Sequence, residues 1–124
     1  MSVLIDSDVL IEVTRARDRE VLKKWSELSA SEEAVLCSPV SIAELWQGAL
    51  ASEHGVLNSL FRVMTCIVID AGTGRRAGEF LRRYRKSHGM ELGDALIAAS
   101  AELSGAAVWT RNRKHYPMTT ISFF

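Results

Sequence analysis

The chain has 124 residues, 48% of them hydrophobic and 24% charged, a balance that excludes both a disordered chain and a fibrous repeat. That length builds one ordinary core and not two, so residues 1–124 are expected to form a single domain. Fifteen Lys and Arg offset fifteen Asp and Glu, so any grip on nucleic acid has to come from local patches and not from an overall positive field.

Val3-Leu4-Ile5 reads as a first strand. Asp6 and Asp8 follow before the apolar stretch reaches the length of a signal segment, and no later stretch has about eighteen uninterrupted apolar residues. A cytoplasmic protein without a membrane span is expected. Val21, Leu22, Trp25 and Leu28 make a helical stripe, and Ala34 to Cys37 a second strand. Ser41-Ile42-Ala43-Glu44 has the spacing of a capping box, flanked by Val40 and Leu45 as a hydrophobic staple, which makes Glu44 an opening residue of the next helix. Leu57, Leu60, Phe61 and Met64 form another stripe before a third strand at Cys66 to Ile69.

Ala77, Phe80, Leu81 and Tyr84 repeat the helical period opposite a basic face running from Arg75 to Lys86, read as solvated. Gly89 is placed to end that helix in the left-handed conformation. From Leu92 to Leu103 almost no polar face is left, as in a central, tightly packed helix. Ala107 to Thr110 is the fourth strand and Thr120 to Phe123 a candidate fifth. Short strands alternating with helices specify a parallel sheet covered on both faces, an α/β/α sandwich of four or five strands. The two cysteines, Cys37 and Cys66, lack CxxC spacing and are read as core residues, without a disulfide or thiolate metal site. Trp46, Tyr84 and Trp109 are assigned to core or interface packing, and His88 and His115 to turns or surface.

Ligands of open parallel sheets bind beyond the carboxyl ends of the strands. Asp6 ends the first strand, Glu44 and Asp94 lie at the starts of helices, and Asn112 follows the fourth strand. Each has a local explanation: Asp6 and Asp94 as caps or first-turn acids, Glu44 as half of a capping box, Asn112 as a turn residue. Together they are a set of oxygen donors. Clustered carboxylates repel, and burial disfavours their charged forms unless a cation neutralises them, which suits a hard divalent ion and the hydrolysis of a phosphodiester by activated water.

Leu4-Ile5-Asp6-Ser7-Asp8-Val9-Leu10-Ile11, Ser41-Ile42-Ala43-Glu44-Leu45, Gly93-Asp94-Ala95-Leu96-Ile97-Ala98-Ala99 and Thr110-Arg111-Asn112-Arg113-Lys114-His115-Tyr116-Pro117, in that order, resemble the PIN domain of VapC-type toxins. The resemblance spans Val3 to Pro117. It implies a PIN-like three-layer fold and a Mg²⁺- or Mn²⁺-dependent endoribonuclease, dimeric and held inactive by an antitoxin whose chain covers the acidic cleft. It also implies that Asp6, Glu44 and Asp94 hold the metal, that Asn112 stands where many members have a fourth acid, and that Ser7 and Thr110 are hydroxyl residues beside the site. Arg111, Arg113 and Lys114 are expected as its RNA-facing rim. Glu91 is read as solvated, and Asp8 is left without a role.

Two rival functions share some of these residues. Asp6-Ser7-Asp8-Val9 also resembles the nucleophile motif of haloacid-dehalogenase-type phosphatases, with Ser38 and Gly93-Asp94 as the later motifs, but no strand is expected before Gly93 and position 98 is Ala where an acid belongs. The other rival is a catalytically silent PIN fold that binds RNA or protein. Against it stands the intact acid set, which costs stability when idle.

Overall fold

A computed structural model describes residues 1–124. Five parallel strands form its sheet, β1 (Ser2–Ile5), β2 (Ala34–Cys37), β3 (Thr65–Cys66), β4 (Ala107–Trp109) and β5 (Ser122–Phe123), in the spatial order β3-β2-β1-β4-β5. Six helices cover it: α1 (Ser7–Arg15), α2 (Arg19–Ala30), α3 (Pro39–Gln47), α4 (His54–Arg62), α5 (Ala71–His88) and α6 (Leu92–Ser104).

Side chains alternate across a strand, and β1 divides accordingly. Leu4 enters the core shared with α5 and α6, while Val3 and Ile5 enter the core shared with α1 to α4, all three fully buried. This alternation within an all-apolar strand makes three layers from one sheet. Central β1 pairs with β2 on one side, Leu4 opposite Leu36, and with β4 on the other, Ile5 opposite Trp109. The strand order therefore reverses at β1, and a crevice opens between the carboxyl ends of β1 and β4.

The packed-helix reading of α6 holds for its middle, where Ala95, Ala98 and Ala99 are fully buried against α5. Its ends differ: Leu92 is 62% and Leu103 60% exposed. Gly89 ends α5 with φ of 63°, the left-handed cap expected. Trp109 is buried, Trp46 and Tyr84 are half-buried, and the α5 cations are exposed except Arg76, which pairs with Glu102.

Three local expectations are corrected. Strand β3 stops at Cys66 instead of running to Ile69: at the sheet edge only β2 is available to pair, and the chain turns outward, leaving Val68 82% exposed, to reach α5. Cys66 is for the same reason exposed, whereas Cys37 is buried; both are free thiols. The third helix starts earlier than a box at Ser41 requires. Ser38 is its cap, accepting from Val40 N–H at 3.1 Å, and Pro39 occupies the first turn, where its missing N–H costs nothing. Ser41 and Glu44 thus lie inside α3, one turn apart on one face, and Val40 is helical instead of stapling. None of the helices is long and apolar enough to cross a membrane.

Candidate active site

The crevice at the reversal of strand order is a cleft of about 480 Å³ whose wall includes Asp6, Asp8, Glu44, Glu91, Asp94 and Asn112. They come from four places: Asp6 and Asp8 at the start of α1, Glu44 in α3, Glu91 and Asp94 at the start of α6, and Asn112 after β4. Asp6, 7% exposed, stands between β1 and α1 and caps that helix, its Oδ1 accepting from Ser7 N–H at 2.7 Å. Its Oδ2 accepts the Thr110 hydroxyl at 2.9 Å and the Tyr116 hydroxyl at 2.8 Å. Glu44 projects from the second turn of α3. The Ser7 hydroxyl lies 2.9 Å from both Glu44 Oε1 and Ser41 Oγ, which ties α1 to α3 beneath the cleft.

Asp94 sits in the first turn of α6, where Oδ2 accepts Glu91 N–H at 3.0 Å and lies 3.2 Å from His115 Nδ1. Gly93 lies where α6 approaches α3. A Cβ there would come within 3.2 Å of Val40 Cγ1, which would have to give by a few tenths of an ångström, and would meet Glu44 Oε1 in ordinary contact at 3.5 Å. Asn112 follows β4. Its N–H donates to Thr110 Oγ1 at 3.0 Å, and its Nδ2 lies 2.8 Å from His115 Nδ1. Helix capping and cleft formation are thus one arrangement for Asp6 and Asp94, not alternatives.

Electrostatics in the cleft are strained. Burial, reinforced by the Asp6 charge and opposed by the N–H of Arg111, pushes Asp8 up from 3.8 to about 6. Its Oδ1 is buried and has no hydrogen-bond partner. Asp94 is likewise raised, by burial first and then by Asp6, against the Glu91 N–H and His115. These are oxygen donors whose charged forms a cation would relieve. No three acidic or imidazole groups come together as a ready-made cage. The acids line one cleft as separate carboxylates, and a cation such as Mg²⁺, which keeps several of its own waters, needs only one or two of them directly.

The Asp8 displacement has a sign that can be checked. Between pH about 4 and 6 the folded chain holds a proton that the unfolded chain has released, so this group favours folding below that window and opposes it above. The full displacement is worth at most about 3 kcal/mol, and contact with solvent reduces it to about 1 kcal/mol. Asp8→Asn, melted in chelator, is expected to gain about 3 to 5 °C at pH 7.5 and nothing near pH 4. An unchanged melting temperature at pH 7.5 would remove the strain argument.

The three cations of the expected rim are arranged unequally. Arg111 is held between Glu12 and Asp18, at 3.4 and 3.5 Å, Arg113 lies over the Phe123 ring, and Lys114 is exposed. The sequence reads Ser41 as a helix cap, not as a partner of Ser7, assigns His115 to a turn or the surface, and does not identify Tyr116 as a partner of Asp6. Ser41 was legible once α3 was phased from Ser38-Pro39, since it lies one turn before Glu44. Tyr116 carried no such signal, because its partner is 110 residues away. The residues before Gly93 form the end of α5 and a short loop, not the strand that the phosphatase motif needs.

The sequence pattern of the PIN domain matches residues 3–119. Ribonuclease VapC10 of Mycobacterium tuberculosis is 36% identical over 124 residues, covering 94% of this chain and 86% of that protein. The structure of VapBC2 from Rickettsia felis, bound to a DNA fragment from their promoter, has a TM-score of 0.79 at 17% identity and covers 100% of this chain and 98% of that one. A toxin-antitoxin complex from Klebsiella pneumoniae gives 0.75 at 23% identity, with 98% and 100% covered. At these identities both structures bear on fold alone.

Proposed function

The chain belongs to the PIN-domain family and is of the VapC type, and from that premise we propose that it is a Mg²⁺- or Mn²⁺-dependent endoribonuclease, the toxin of a toxin-antitoxin pair. The observation that carries this reading is that Asp6, Glu44 and Asp94 all line one cleft at the carboxyl ends of β1 and β4. The naming of VapC10 as a ribonuclease supports the same substrate class.

Asp6, Glu44 and Asp94 would hold the cation, with Asn112 and Asp8 at the edge of the set. When bound, the cation would supply charge to polarise the phosphodiester and to activate the attacking water. The chain's own part is orientation. Three donors fix Asp6, Ser7 keeps Glu44 turned toward the cleft, and the Glu91 N–H with His115 holds Asp94. Lys114, with Arg111 and Arg113, would meet RNA phosphates at the rim, giving an affinity that falls with salt.

An antitoxin covering the acidic cleft and a second copy of the chain are the proposed partners. The Klebsiella structure, a toxin-antitoxin complex, is consistent with the first. For the second, among the apolar residues that follow Glu44, Leu45 belongs to the core, Trp46 and Ala49 are half-buried and Leu50, just beyond α3, is 67% exposed, so of these four Leu50 alone stands free. A brief induction followed by sequencing of RNA 5′ ends tests the activity. New ends at defined positions are expected with the wild type and none with Asp6→Asn; identical ends from both proteins would contradict the proposal.

A further inference from the structure

Tyr116 is 2% exposed, and its ring packs in the core beneath α5 and α6, edge-on to Phe123 with ring centres 6.5 Å apart. A phenyl ring fills that space equally well. The hydroxyl has a different destination: it donates to Asp6 Oδ2 at 2.8 Å. Burial, and then the neighbouring Asp6, hold the phenol well above its ordinary range, so it stays a neutral donor. Packing does not account for the hydroxyl, because burying a polar group favours folding little even when it is paired.

Asp6 receives donors from three parts of the chain: Ser7 N–H at the start of α1, the Thr110 hydroxyl after β4, and the Tyr116 hydroxyl beyond the turn at Arg113–His115. Thr110 and Tyr116 share Oδ2, while Oδ1 has the Ser7 N–H as its donor. The carboxylate plane is thereby fixed from below. We propose that Tyr116 is a positioning residue, which orients Asp6 toward a divalent cation through this buried hydrogen bond. The inference rests on the reading of Asp6 as an acid that holds the cation. Without the phenol hydroxyl, Oδ2 keeps only Thr110, whose oxygen already accepts the Asn112 N–H at 3.0 Å, and the carboxylate gains freedom to rotate.

Calorimetric titration of Mn²⁺ alone into the wild type, Tyr116→Phe and Asp94→Asn tests it. Hydrogen-bond partners of metal ligands contribute about 10- to 100-fold in affinity, so Tyr116→Phe is expected to weaken Mn²⁺ binding at least about fivefold with unchanged circular dichroism. A smaller change overturns the positioning role, since a tyrosine that only packs would alter stability and not the dissociation constant. Equal binding by the wild type and Asp94→Asn would instead remove the cation site on which the inference depends. A second measurement needs no variant. The chain has two tyrosines, Tyr84 and Tyr116, and with ¹³C-labelled tyrosine the Tyr116 ring signal is expected to shift on Mg²⁺ titration while that of Tyr84 stays still. A stationary Tyr116 signal overturns the proposal.

Discussion

Asp94→Asn is expected to lower RNA cleavage by at least about a thousandfold, equivalent to about 4 kcal/mol of transition-state stabilisation, and to melt no lower than the wild type. Two features of Asp94 set these outcomes apart. Its carboxylate caps α6 by accepting the Glu91 N–H at 3.0 Å, and an amide oxygen of the same shape keeps that bond. Its charge is disfavoured by burial and by Asp6, so neutralising it removes a cost to folding. The charge is what a divalent cation needs; the shape is what the helix needs. Steady-state cleavage of a single-stranded RNA, beside a thermal melt in chelator, reads both effects. Undiminished cleavage with a normal melt would take Asp94 out of the site.

The same duality explains what could be read from the residues alone. β1 and β2 were legible because both faces of a central parallel strand are apolar, a pattern that survives without knowledge of neighbours. Asp6 and Asp94 were legible as caps and as cleft residues alike, and the fold makes both descriptions hold. The box spacing at Ser41 gives Glu44 the wrong local geometry, because Ser38-Pro39 is the stronger helix start. Phasing the helix from that start places Ser41 beneath the cleft, against the Ser7 hydroxyl, and frees Glu44 from capping.

Other features were written in no local pattern. The early end of β3 and the exposure of Cys66 follow from an edge position that apolar content does not reveal. His115 and Tyr116 sit in a basic, turn-like segment, and their approach to Asp94 and Asp6 depends on the parallel pairing of β4 beside β1 and on the turn that follows it. A buried tyrosine hydroxyl signals that a partner exists without naming it.

Metal dependence of cleavage is the most direct test of the central claim, because a bound cation would offset the cost that burial places on the charges of Asp8 and Asp94. Purified chain, dialysed against chelator, is expected to leave a single-stranded RNA intact. Adding Mg²⁺ or Mn²⁺ back is expected to restore cleavage in proportion to occupancy and, through the relief of Asp8 and Asp94, to raise the melting temperature over the same concentration range. Cleavage that proceeds undiminished in excess chelator, at sites unchanged by added Mg²⁺, would contradict the account.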